Sequence, residues 1–388
     1  MIFRKKILIS HICEKSATER CSVDTNRAQR NTVPLSILAL MFVLFIACND
    51  KPKHITTAFY HWKTEFNISD FEKKYLDSCL TQKMYVRIFD VDWDDAAKFS
   101  KPIAPIRYSD TLRYWALLNM PIVPTVFITN KVFSKTHNNQ LDTLAFLISK
   151  TVQATEQRAH TFAQNTEGAT FSEIQIDCDW TKSTRDKYFS FLKKLKAVSN
   201  KKISSTIRLH QIKDRDVMGI PPVTRGMLMA YNMGDLDNPK NSNAIIDISV
   251  LKNYIKTLKT YPLSLDIALP LFSWGVVLRD GETVKILNNF SFQDILTIDD
   301  LGKSIGLTIK SENRLLIEKN MYFKGHYLYK DDEIRLDNTP LSILKETATI
   351  LNQHLKPESR TVCFYHADLV LFNRFSYEDI QDIVHRFQ

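Results

Sequence analysis

Glycine is scarce in this chain, with 9 in 388 residues. Neither G-x-G-x-x-G nor G-x-x-x-x-G-K-[ST] occurs, so the phosphate-cradling loops of dinucleotide and nucleotide folds are not expected. Cysteine is sparse as well, with 6 residues and no C-x-x-C. Cys13, Cys21 and Cys48 fall near the start, and only Cys79, Cys178 and Cys363 follow. An odd, scattered set makes no disulfide framework, zinc ribbon or redox pair. G-x-S-x-G is missing, which argues against a serine nucleophile on a strained elbow. H-x-H and H-E-x-x-H are missing too. His61, His210, His366 and Asp179 could share one cleft and suit zinc, but their spacing does not ask for it. No metal and no cofactor is expected.

Charge is also limited. The formal net charge is +9. Residues 1–47 hold seven Lys/Arg and three acids, a net +4, so the remainder carries 9 − 4 = +5. That excess is spread evenly, and no nucleic-acid partner is read from it. At 44% hydrophobic and 24% charged the composition is globular, with ample length for a large core.

The longest apolar run is Pro34 to Ala47, ending at Cys48. It is too short for a comfortable membrane span and suits the apolar core of a signal peptide. Phe45-Ile46-Ala47-Cys48 resembles the bacterial lipobox, with Phe45 where Leu is usual. The resemblance implies that Cys48 is lipidated and tethers the mature chain to an envelope membrane, the outer membrane first, facing periplasm or surface. Residues 1–50 are read as leader and tether, and residues 51–388 as the folded domain.

Along that domain, short β-rich runs alternate with helical patterns. Strands are expected over 55–62, 84–93, 122–129, 173–179, 203–210, 226–232, 263–269 and 361–366. Helices are expected over 69–78, 140–156, 183–198, 247–260, 339–354 and 377–386. Ser183 and Asp186 stand at capping-box spacing before the third of these. Asp280-Gly281 suggests a hairpin within 276–287. The irregular stretch 288–338, with Asn288-Asn289 and Asp299-Asp300, is too long for an ordinary loop. Eight strands with intervening helices predict an α/β fold, a (β/α)8 TIM barrel, with an insertion at about 276–338 between strand 7 and its helix. A doubly wound open sheet is the alternative.

The stretch Glu173 to Thr181 organises the functional reading. Ile174 and Ile176 point one way, and Gln175, Asp177 and Asp179 the other. Asp90 and Asp92 repeat this acidic spacing at the end of the second strand. In a barrel, residues at the carboxyl ends of strands line one mouth. That mouth would collect Tyr60, His61, Trp62, Asp90, Asp92, Asp177, Asp179, Arg208, His210, Tyr231, Asn232, Trp274, Tyr365 and His366. Aromatic faces suit pyranose rings, and carboxylates and amides bind hydroxyls, so the inventory is that of a sugar site. Any one of these aromatics alone would be ordinary core, and Asp177 alone an ordinary buried organiser.

Asp177-Cys178-Asp179-Trp180 resembles the D-x-D-W of chitinase-like glycosidase barrels. Met229-Ala230-Tyr231-Asn232 resembles their sixth-strand M-x-Y-D, and Trp274 stands for an aromatic at the floor of the sugar site. The mature chain also resembles a family of bacterial lipoprotein-type barrels in the glycosidase superfamily. The chitinase pattern continues with a Glu that protonates the glycosidic oxygen, and here that position is Thr181. A hydroxyl is no general acid near neutral pH. The sixth-strand Asp is Asn232. Two expectations follow. One is an envelope-anchored glycoside hydrolase with a rearranged pair, Asp179 as acid with its pKa raised by Asp177 and burial, and Asp92 or Asp235 as its counterpart. The other is a non-catalytic barrel that binds glycan or peptidoglycan fragments.

Overall fold

Eight runs of β-branched, aromatic and aliphatic residues pair in parallel and bury both faces, as strands covered by helices must. In the computed structural model, residues 53–108, 120–162, 170–291, 306–323 and 325–388 are described. The first seven are β1 (Ile55–His61), β2 (Lys83–Asp94), β3 (Ile122–Ile128), β4 (Glu173–Asp177), β5 (Lys202–Arg208), β6 (Arg225–Met229) and β7 (Leu265–Pro270). The insertion that follows holds a two-stranded pair (Met321–Phe323 and His326–Leu328) and the five strands of one sheet: β8 (Trp274–Arg279), β9 (Glu282–Asn288), β10 (Leu307–Ser311), β11 (Arg314–Ile317) and β12 (Glu333–Asp337). The eighth parallel strand is β13 (Arg360–Tyr365). β1 pairs with β2 through Ala58↔Lys83 and with β13 through Ile55↔Arg360. The parallel pairings run on through β7, β6, β5, β4 and β3 to β2, so the sheet closes. The open-sheet alternative is thereby excluded.

The covering helices follow their local signals. Helix α1 (Asp70–Ser78) starts at Ser69, whose hydroxyl and Glu72 form a reciprocal capping box. Helices α2 (Leu141–Phe162) and α3 (Arg185–Ser199) pack after β3 and β4. The expected Ser183/Asp186 cap is not formed. Thr184 is the N-cap of α3 without a side-chain cap bond, and Asp186 pairs with its neighbour Arg185. The fifth strand also ends earlier than its pattern suggests: Arg208 is its last residue, and His210 lies in the short helix α4 (Leu209–Lys213). His210 therefore leaves the strand face that it was expected to share with Arg208.

Between β7 and helix α5 (Leu341–His354) the five inserted strands form an antiparallel sheet ordered β9-β8-β12-β11-β10. It has its own apolar cluster, with Val277, Leu287, Phe290, Leu315, Ile317 and Ile334 all buried. The β8–β9 turn has Asp280 at φ 52° and Gly281 at φ 83°, the left-handed pair that a tight hairpin turn requires. Asp299-Asp300 and the leader with Cys48 lie outside the described residues. No helix among the described residues is long and apolar enough to cross a membrane.

Candidate functional site

Where the strands end, a cleft of about 610 Å³ opens. Trp62, just past β1, and Arg87 and Asp90, on β2, line one side. Asp177 closes β4, Asp179 lies two residues beyond, and Arg208 closes β5. Tyr231 and Asn232 follow β6, Phe272 and Ser273 follow β7, and Tyr365 and His366 end β13. The inserted sheet adds Trp274, Asn288 and Asn289. The barrel thus brings together Trp62, Asp90, Asp177, Asp179, Arg208, Tyr231, Asn232, Trp274, Tyr365 and His366 from the sequence-predicted set.

Four of that set stand elsewhere. Tyr60 is fully buried and its hydroxyl donates to Gln175 Oε1 at 2.6 Å, a bond from β1 to β4 inside the barrel. His61 is buried against Phe66, with ring centroids 4.8 Å apart. Both belong to β1 itself, below the rim where Trp62 emerges. Asp92 does not line the cleft. It accepts from Thr129 Oγ1 at 2.6 Å and from the Trp93 amide at 2.8 Å, fixing the turn that follows β3. His210 lines a second cavity of about 320 Å³, which shares Asp179, Arg208, Tyr231 and Asn232 with the first and also meets Thr181 and Tyr254. His61, His210 and His366 are therefore dispersed. Among the described residues no three His, Cys, Asp or Glu side chains group as metal ligands.

The carboxylates of the cleft differ sharply. Arg208 grips Asp179 with two bonds, Nε to Oδ1 at 2.6 Å and Nη2 to Oδ2 at 2.8 Å. Arg87 grips Asp90 in the same bidentate manner, its Nε 2.6 Å from Oδ1 and its Nη2 on Oδ2. Such a fork occupies both carboxylate oxygens and ties each acid to a permanent cation. Asp179, expected to be the acid, is corrected on this ground. Its side chain is also 52% exposed, far from the burial that role needs. Asp177 is the opposite case. It is buried, accepts one hydrogen bond from Thr206 Oγ1 at 2.6 Å, and has no arginine fork. Burial pushes its pKa up to about 6, with the nearby Asp179 charge adding to the rise and the Thr206 bond opposing it.

Around Asp177 the aromatic rings are continuous. Trp62 meets Tyr365 at 5.6 Å between centroids, Tyr365 meets Tyr231 at 5.5 Å, Tyr231 meets Phe272 at 5.8 Å, and Phe272 meets Trp274 at 5.2 Å. The Tyr231 hydroxyl is buried with no hydrogen-bond partner among the described residues. Trp274 Nε1 donates to Asp337 Oδ2 at 2.9 Å, which fixes the ring at the cleft edge. Burial holds His366 below the usual imidazole range. Thr181, at the position where the resemblance calls for a Glu, shares hydrogen bonds with Ser183 and Thr184. Trp180 is structural: it is buried, stacks on Tyr188 at 5.2 Å and donates from Nε1 to the Met218 carbonyl.

Arg87 and Phe272 were not among the sequence-predicted site residues. Three residues apart on a regular strand, Arg87 and Asp90 would face opposite ways; the register irregularity between Arg87 and Phe89 lets them pair, and no sequence signal marks it. Asn288-Asn289 stood out only as part of an irregular stretch.

Among solved structures, the chain is similar to the spore cortex-lytic enzyme SleL of Bacillus megaterium QM B1551, with TM-score 0.52 and 12% identity over 86% of this chain and 75% of that one. SleL of Bacillus cereus gives TM-score 0.51 and 12% identity over 87% and 76%. A chitinase from Chromobacterium violaceum ATCC 12472 gives TM-score 0.48 and 11% identity over 84% and 98%. The fold is a (β/α)8 barrel, as in these structures. At these identities the likeness speaks for the fold alone. No family model matches the chain, and no curated protein matches it.

Proposed function

We propose that this chain is a glycan-binding barrel, tethered to a bacterial envelope membrane through lipidated Cys48, whose cleft holds sugar without hydrolysing it. The observation that carries this reading is the pairing of Asp90 with Arg87 and of Asp179 with Arg208. Hydrolysis by two carboxyl groups needs a protonated acid and a free partner facing it at roughly 5–9.5 Å. Two of the three cleft carboxylates are tied to guanidinium groups, and Asp177 is left alone. Thr181 supplies no acid in its place. The wall from Trp62 to Trp274 and the amides of Asn232 and Asn288 are what a sugar-binding cleft needs. The likeness to spore cortex-lytic enzymes directs the search first to polymers of the kind those enzymes lyse.

One observation favours a hydrolase instead. Asp177, lifted to about 6, lies in the range of a general acid and could work with a nucleophile carried by the substrate. A glycan array probed with the detergent-solubilised full chain, followed by turnover assays on each bound glycan, separates the two. Binding with every glycan recovered intact is expected. Release of shorter sugars, abolished in Asp177→Asn, would replace the binding reading with the hydrolytic one. The anchor is tested by labelling with a palmitate analogue, where label independent of Cys48 would remove it.

A further inference from the structure

The charges of the cleft do not cancel. Arg87 offsets Asp90 and Arg208 offsets Asp179, each pair closed by two hydrogen bonds. No lysine lines the cleft among the described residues, and burial disfavours the charged form of His366. Asp177 is left as one buried carboxylate without an ion pair of its own: the Arg208 charge reaches it, but both of the arginine's bonds in the cleft go to Asp179. The Asp177 Oδ1 accepts from Thr206, and no donor among the described residues reaches its Oδ2. A neutral sugar placed over it can donate a hydroxyl but brings no counter-charge, so the carboxylate would be buried further with its charge unpaired, which is costly.

Two more features mark the same spot. The phenols of Tyr231 and Tyr365 are raised by burial, and the charge of Asp177 adds to both, so both rings stand within its field. The Tyr231 hydroxyl, buried and unpartnered, offers an oxygen lone pair. A carboxylate beside aromatic rings, with a spare hydroxyl acceptor, is the chemistry that recognises an ammonium group. We propose that the cleft takes a glycan bearing free amino groups, of the glucosamine type, with one ammonium bound by Asp177 and Tyr231. This rests on the glycan-binding reading above and narrows its ligand. The ammonium supplies the missing cation and fills Oδ2 of Asp177. An N-acetyl group at the same place brings no charge.

The test is calorimetric titration of the detergent-solubilised full chain with a glucosamine tetramer and with the same tetramer fully N-acetylated. At about pH 7 Asp177 is ionised and a large share of the amine is protonated. The free-amine tetramer is expected to bind at least about tenfold tighter, since a buried charge pair is at stake. Asp177→Asn should remove that preference, weakening the free-amine tetramer by at least about tenfold while the N-acetylated one changes by less than about twofold. Tyr231→Phe, which keeps the ring and deletes only the hydroxyl, should weaken the free-amine tetramer a few-fold. Equal or tighter binding of the N-acetylated tetramer by the unaltered chain overturns the amine proposal and leaves the glycan reading standing. Binding of neither tetramer, together with an empty glycan array, overturns both.

Discussion

Two buried aspartates separate the part of this molecule that holds itself together from the part open to a ligand. Asp337, on β12 of the inserted sheet, accepts four hydrogen bonds: Arg335 Nε and Nη2, Trp274 Nε1 and the Ala244 amide. Both partners of its ion pair are fully buried. Asp177, at the end of β4, accepts one bond, and its charge has no partner of its own. The same functional group, buried in both places, is saturated in one and left wanting in the other. Satisfaction of its acceptor positions, more than burial, marks which carboxylate serves structure and which awaits something the chain does not supply.

The largest effect should come from breaking the saturated site. Asp337→Ala leaves the Arg335 guanidinium buried without its counter-charge and frees Trp274 Nε1. A loss of about 3–5 kcal/mol is expected from denaturant unfolding. A loss under about 1 kcal/mol would show that Arg335 is rescued by the Asn238 carbonyl, to which it already donates at 2.9 Å. The unsatisfied site should respond with the opposite sign. Asp177 titrates near 6 when folded and near its ordinary value of 3.8 when unfolded. Its contribution to stability is therefore full below 3.8 and is lost as pH rises through 6. At about 1.36 kcal/mol per unit, the loss is about 3 kcal/mol by pH 7. Asp177→Asn should abolish that decline and be the more stable protein at pH 7. If the variant and the parent decline in parallel, Asp177 is not the group being strained.

The same distinction explains what could be read from the sequence. The eight strands were legible because each is a short β-branched or aromatic run between breakers, and the hairpin because Asp280-Gly281 can adopt the required φ values. The cleft was legible to the extent that strand ends converge: Asp177, Arg208, Tyr231 and Tyr365 meet because barrel closure leaves them no other place. What a linear pattern cannot hold is which partner a side chain finds after closure. Asp177 and Asp179 are interchangeable by spacing, yet Arg208 from the next strand takes one and Thr206 the other. Asp92 looked like a repeat of the same device, but Thr129, just past the end of β3, turns it into a fastener for a loop. Tyr60 and His61 failed for a different reason. They sit within the last turns of β1 pairing, and the rim begins one residue later, at Trp62.

His61 extends the comparison to a side chain with no hydrogen-bond partner among the described residues. Both of its ring nitrogens are buried without hydrogen bonds, and burial lowers its pKa to about 3. Its ordinary value is 6.5, so the stability it contributes is present above 6.5 and is lost as pH falls toward 3. At pH 5 the cost is about 2 kcal/mol. His61→Phe, which preserves the packing on Phe66, should flatten the acid limb of a stability–pH curve between 6.5 and 3. An unchanged limb would mean that the ring is hydrated or paired when protonated.

The smallest effect should come from Asp179. Its pairing with Arg208 is bidentate, but the side chain is 52% exposed, and water and salt screen the attraction. Asp179→Asn should cost less than about 1 kcal/mol of stability. Its consequence should instead be felt next door. Freed from its partner, the Arg208 guanidinium becomes an uncompensated cation beside Asp177, and opposite charge favours the ionised carboxyl. The Asp177 titration, followed by carboxyl NMR, should move down from about 6 in this variant. The fall in stability above pH 4 should become shallower with it. An Asp177 titration that stays put would mean that Arg208 swings away from the cleft once Asp179 is neutral, so that the fork holds the arginine in place as much as the arginine holds the acid.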